Sequence, residues 1–332
     1  MLLGTRAACL RAAIVVIAFG IATIQGVAAP KFSAWSEPVH LGPLVNSDAN
    51  EQGPAISRNG LSLFFGSARP DGIGNFDIWV SQRGCVGDPW GPPINVVGLN
   101  STSLDTLPSL SPDGHWMFFT SSRPGGSGDA DLWAAYRADR HNDFGWETPI
   151  NLGSDVNSAL FDAAPELTRK RGKVGPLLHF ARGPNNNALD IYVSELGADG
   201  TFGAPTPVAE LNSTFSDARV SVRRDGLEIF FYSNRPGLGL NDLWMSMRGK
   251  VTDPWLPSVN VGGPVNTPFN EVHPELSRDG RTLYFVSGRP RPGSVTPPGN
   301  TDLWVTTRTE LDGDDEPRGC EDEEEEEEEE EG

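Results

Sequence analysis

The sequence predicts an all-β fold: a five-bladed β-propeller of four-stranded antiparallel blades, its ring closed by the N-terminal strand. Three observations predict it. The first is an internal repeat, visible in WSEPVHLG, WGPPINVVG, WETPINLG, FGAPTPVAE and WLPSVNVGG. These segments begin at Trp35, Trp90, Trp146, Phe202 and Trp255, at intervals of 55, 56, 56 and 53 residues. The second is a tight-turn motif at a fixed place in the repeat: SRNG, SPDG, RRDG and SRDG. The third is the lack of any segment with a helical hydrophobic period.

Each strand of the unit has a local reason. The Gly of the turn motif supplies the positive φ that a hairpin needs. Around it lie LSLFFGS, HWMFFTS, LEIFFYS and RTLYFVS, runs of aromatic and β-branched residues that suit a buried pleated surface. FDIWVSQ, ADLWAAY, LDIYVSE, NDLWMSM and TDLWVTT give a third strand. The Trp-x-x-Pro segment opening the next repeat is expected as a fourth, its Pro placed on an exposed edge. Because that segment precedes the other three, the copy at Trp35–Leu41 has no blade of its own. It is expected beside Asp302–Arg308, where it removes an open sheet edge.

Three regions are expected. Residues 1–29 read as a signal peptide, with Arg6 and Arg11 at the start, an apolar stretch from Ala12 to Ile24, and small residues at Gly26–Ala28. Residues 30–311 form the propeller and 312–332 an acidic, disordered tail. The chain is thus expected to be exported, periplasmic or secreted, with no membrane span once the signal is removed. From Asp312 onward fifteen acids and one Arg carry −14 of the formal −19, so the body is only mildly acidic. No basic stripe suggests a nucleic-acid surface. After signal removal the cysteines are Cys85 and Cys320, whose spacing fits no metal site; a disulfide and two free thiols both remain open.

The phrase P-x-L/I-S-x-D-G-x-x-L-F/Y-F-x-S-x-R-P, followed by G-x-x-D-L/I-W, resembles the TolB-type, WD-repeat-like β-propeller family. SLSPDGHWMFFTSSRPGGSGDADLW and ELSRDGRTLYFVSGRP carry it best, over about residues 32–310. The third repeat departs from it: TRKRGKVGPLLHFARGPNNN has no clean turn. The resemblance implies an exported propeller and says little about activity, because propellers host many functions.

Residues repeated in every blade are most simply explained by packing. Eight of nine Trp fall at two repeat positions, as expected of blade-to-blade contacts. Asp77, Asp131, Asp190, Asp242 and Asp302, and the Arg of each Arg-Pro pair, are expected to bind loop backbone or pair within a blade. The acid opening the innermost strand is the candidate binding site: Glu51, Asp105, Asp162, Asp217 and Glu271, preceded by Asn46, Asn100, Asn157, Asn212 and Asn266. Phe161, Phe215 and Phe269 lie beside these acids. If the following strand lines the channel, five acids surround one mouth, where they would hold a ligand or a Ca²⁺ ion unless each caps its own loop.

Every repeat carries that acid, so nothing in it singles out a catalytic pair. The five His show no metal spacing, and there is no nucleophile elbow or phosphate loop. No catalytic residue, metal site or cofactor is therefore expected. The expected function is a monomeric, non-enzymatic binding or scaffold propeller for a protein, glycan or cell-envelope ligand. The alternative is a five-bladed glycoside hydrolase acting through the channel-mouth carboxylates.

Overall fold

The structure is a computed structural model describing residues 31–169, 171–172, 174–294 and 299–311. The signal segment, Cys9, Cys320 and the acidic tail fall outside the described residues. Five sheets of four antiparallel strands surround one axis. The blades begin with inner strands Glu51–Ile56, Asp105–Leu110, Phe161–Leu167, Asp217–Val222 and Glu271–Leu276. Each pairs with a second strand, and that with a third, such as Asp77–Gln82 in blade 1 and Asp302–Thr307 in blade 5. Among the described residues the one α-helix is the single turn Gly42–Val45, and no helix is long and apolar enough to cross a membrane.

The expected turns close the hairpins of blades 1, 2, 4 and 5, with Gly60, Gly114, Gly226 and Gly280 at φ between +73 and +80°. Blade 3 lacks that turn. Its inner and second strands still pair, and the longer connection is pinned by reciprocal backbone bonds between Arg171 and Val174 at 2.8 and 2.9 Å.

The fourth strand is shorter than the sequence suggests. Only two residues pair in each blade, such as Ile94–Asn95, and they lie beyond the Trp-Pro segment. Proline has no N–H for a ladder, so the segment before it keeps one backbone bond to the third strand, such as the Gly91 N–H to the Gln82 carbonyl at 2.8 Å, without a continuous pairing. Its Trp turns inward instead, against the preceding blade. Trp146 meets Phe64 edge-on at 6.2 Å between ring centroids, and Trp35 meets Phe230 at 5.9 Å. An Arg covers each of these Trp rings, with Arg248 4.0 Å from the Trp255 centroid.

Ring closure is as expected. Val39 pairs with Val305 and His40 with Trp304, so the N-terminal segment completes blade 5. Apolar clusters lie between blades; one joins Phe64, Ile78 and Val80 of blade 1 to Phe119, Trp133 and Trp146 of blade 2. Phe64 and Phe119 are fully buried, and each such ring is worth about 1.5–3 kcal/mol. A blade alone would expose them, which is why the unit must repeat around an axis.

Candidate active site on the propeller axis

Each inner strand starts with the repeated acid at one end of the channel and ends at its hairpin at the other. At the first end all five acids are fully buried. Asp105 accepts from the Ser101 N–H and hydroxyl at 2.6 and 2.7 Å, from Ser121 at 2.6 Å and from Arg123 at 2.5 Å. Asp217 is held by Ser213 and lies 2.8 Å from Arg235; Glu271 is held by Thr267 and Ser287 and lies 3.4 Å from Arg289. Glu51 is held by Ser47, Ser67 and Arg69. Asp162 takes its Arg bond from Arg182 at 2.6 Å, which stands where the other blades have Ser. Burial raises the pKa of Glu51 and Glu271 against these bonds.

The Asn residues are equally engaged. Asn46, Asn100, Asn157, Asn212 and Asn266 each accept from the N–H and donate to the C=O of one third-strand residue, at 2.7–3.0 Å. An Asn side chain thus extends the sheet as a strand would. Phe161 is partly buried beside Leu107, Phe269 is half-buried and Phe215 is exposed. The structure therefore ties each acid to loop groups of its own repeat and to the blade's Arg, while one oxygen of Glu51 is buried without a hydrogen-bond donor. Among the described residues no group of three His, Cys, Asp or Glu is placed to hold a metal ion. Cys85 is disulfide-bonded.

Deeper in the channel the blades differ. Every inner strand has a β-bulge whose central residue takes a positive φ: Gly53 (51°), Leu107 (53°), Ala164 (56°), Arg219 (46°) and His273 (53°). Left-handed backbone costs a non-glycine residue about 1–2 kcal/mol, so four of the five blades carry real strain. Bulges re-aim side chains, and here they deliver dissimilar ones to the axis. Arg219 of blade 4 is fully buried and reaches the Pro54 and Pro108 carbonyls, of blades 1 and 2, at 2.8 and 3.1 Å. His273 accepts from the Gly53 N–H at 3.4 Å. Burial and the Arg219 charge push that imidazole down to about 3, so it is neutral.

Two residues beyond the bulge, the blades present Ala55, Ser109, Glu166, Ser221 and Glu275. Glu166 accepts from the Ser109 hydroxyl at 2.7 Å and from the Val222 N–H. Glu275 accepts from the Ile56 N–H at 3.3 Å, and its second oxygen is buried without a hydrogen-bond donor, 4.0 Å from Arg219. Burial pushes Glu166 up to about 7, against the pull of Ser109 and Arg219. Burial and the neighbouring Glu166 raise Glu275 well above the usual carboxylate range. Two carboxyls and one guanidinium thus share a low-dielectric site in which a proton is retained near neutral pH.

Above this group opens a cavity of about 140 Å³, walled by equivalent residues of all five blades at the hairpin end. Glu166 is half-buried on its wall, which His179 also lines, and Glu275 is buried outside that lining. An axial cavity with one polarised acid at its wall can bind a ligand end-on and give it a proton.

Sequence reasoning missed this group, although the signal was present. Aligned four residues after the repeated acid, GPAIS, LPSLS, APELT, RVSVR and HPELS show Glu in only two blades. The residues that all repeats share serve packing and loop capping, whereas chemistry on a pseudo-symmetric scaffold sits where they differ.

No family model matches the chain, and no curated protein matches it. Among solved structures, the catalytic domain of a GH62 α-L-arabinofuranosidase from Coprinopsis cinerea is similar at 14% identity and TM-score 0.54, over 85% of this chain and 98% of that one. A family 117 glycoside hydrolase from the marine bacterium Zobellia galactanivorans is similar at 11% identity and TM-score 0.55, over 86% and 93%. A putative TolB from Agrobacterium tumefaciens matches at 16% identity over 75% and 73%, but its TM-score of 0.44 carries no argument. What is shared at these identities is the fold: the chain is a five-bladed β-propeller. The expectation of a non-enzymatic binding propeller is corrected here, because the solved five-bladed structures that share this fold are mostly glycoside hydrolases. That expectation rested on the symmetry of the repeated acids, and the two glutamates on the axis break the symmetry.

Proposed function

We propose that the chain is a glycoside hydrolase whose proton donor is Glu166. The observation that carries the reading is the pairing of Glu166 with Glu275 around Arg219, at a position where the other blades have Ala or Ser. Glycoside hydrolysis uses a carboxylic acid held protonated at working pH and a second carboxyl close by. Glu166 faces the cavity and, pushed up to about 7, gives its proton to the departing sugar oxygen as the C1–O bond breaks. Water supplies the hydroxyl to C1, and its proton restores Glu166. Burial, opposed by Ser109 and Arg219, sets how tightly Glu166 holds that proton.

The shared fold supports the reading, as does the axial cavity. The repeat itself we assign to the TolB-type stock that its turn motif resembles, and the basic and apolar start of the chain we assign to export. The test is a polysaccharide hydrolysis screen with the full chain. Turnover should fall 10²-fold or more in Glu166→Gln, the usual contribution of a general acid, while the wild-type melting curve is kept. Hydrolysis that survives Glu166→Gln, or no hydrolysis of any polysaccharide, would defeat the proposal.

A further inference from the structure

The axial cavity at the hairpin end is lined by several arginines and by one carboxyl. At the second position of the turn motif the blades carry Arg58, Pro112, Arg169, Arg224 and Arg278, so four blades direct an Arg to one axial cavity. Arg171 and Arg248 add to the same wall, where Glu166 is the only carboxyl among the lining residues. The body of the chain, by contrast, is net acidic. The concentration is felt by its neighbours. Burial and the charge of Arg248 push His179 down to about 4, and burial with the nearby Arg224 lowers Arg171 against the pull of Asp225. Arg169 also donates to the Pro112 carbonyl at 2.9 Å, which fixes one guanidinium across the rim from blade 3 to blade 2. Guanidiniums gathered from several blades around one opening give it a positive field that draws an anion.

We propose that the sugar bound in this cavity carries an oxyanion, a uronate carboxylate or a sulfate ester, seated among the arginines with its glycosidic oxygen at Glu166. The proposal rests on the hydrolase reading for the bond that is cut, and on the arginines alone for the charge that is recognised. Guanidinium binds carboxylate and sulfate through paired N–H donors, which a neutral sugar cannot replace. An acid kept protonated at the wall fits such a ligand, since an ionised Glu166 would repel it.

The test uses the full chain with three probes: an oligogalacturonate, a sulfated galactan oligosaccharide and a neutral arabinan oligosaccharide. Binding is read by calorimetry and hydrolysis by reducing ends, at low and high salt. One of the two anionic probes should bind, and Arg278→Gln should weaken it about 10-fold or more, as loss of a charge-assisted bond does. High salt should weaken it too, and Arg224→Gln should act alike; melting curves establish that the variants fold. Which anionic probe binds tells carboxylate from sulfate. Binding that depends on Arg278 without cleavage upholds this inference and defeats the hydrolase reading. Cleavage of the neutral probe alone, unchanged in both variants, keeps the hydrolase and overturns the inference. No binding of either anion overturns it as well.

Discussion

The guanidinium of Arg219 crosses the propeller axis to donate to the Pro54 carbonyl at 2.8 Å, joining blade 4 to blade 1 through the middle of the ring. The same group lies 4.0 Å from Glu275 and lowers the proton affinity of both axial glutamates. Arg219→Met would leave two buried carboxyls without their counter-charge and two carbonyls without a donor. A loss of about 3–5 kcal/mol is expected in urea denaturation, the usual cost of breaking a buried pair. Glu275→Gln in the same chain should recover part of it, a coupling that a double-mutant cycle measures.

Stability should also report the proton held by Glu166. Its folded pKa of about 7 lies above the ordinary 4.5, so the folded state binds the extra proton. The contribution is therefore full below about pH 4.5 and is lost as pH rises toward 7. His179 and His273 act oppositely, because they are lowered to about 4 and 3 and must stay neutral. Their contribution is full above the ordinary 6.5 and is lost as pH falls through the folded values. The two trends oppose each other between them. Denaturation of wild type and Glu166→Gln from pH 4.5 to 7 should show stability rising more steeply with pH in the variant.

Asp143 joins blades 1 and 2. Its buried carboxylate accepts from Arg137 at 2.7 Å and from Ser62 and Gln82 at 2.6 Å. Asp143→Ala strands the buried Arg137, and a loss of about 3–5 kcal/mol is expected by urea denaturation. Asp143→Asn, which keeps acceptors for Ser62 and Gln82, should lose less.

Asn157 occupies the N–H and C=O of Leu132 at 2.8 and 3.0 Å. Asn157→Leu leaves both groups buried and unsatisfied, at a cost of about 2–4 kcal/mol. The same substitution at any of the five equivalent Asn should behave alike in thermal melts, because the contact is repeated in every blade.

The blade count, the turn positions and the closing strand were legible in the sequence because each follows from local chemistry repeated five times. Gly60 and its counterparts mark hairpins, and Trp35 stands one repeat before Trp90 with no blade of its own. The length of the fourth strand was not legible: the Pro segment was read as strand, although its missing N–H groups end the ladder. The engagement of Asp105 and its equivalents was one of two readings left open, since sequence does not show whether a carboxylate faces its own loop or the channel. Arg219 and His273 were invisible as axial residues because their place depends on a bulge, which shifts the facing of every residue after it. Glu166 and Glu275 were legible as a difference between repeats, four residues after the acid that every repeat carries.

The central claim is that Glu166 is a proton donor whose proton affinity is raised by burial and held down by Ser109 and Arg219. It is tested most directly by the pH dependence of kcat/KM on a hydrolysed polysaccharide. The account predicts an alkaline limb near pH 7 in the wild type, where Glu166 gives up its proton. It also predicts a limb moved to higher pH in Ser109→Ala, where the hydrogen bond that favours the carboxylate is gone. A limb that stays in place in Ser109→Ala, or full activity in Glu166→Gln, would contradict it.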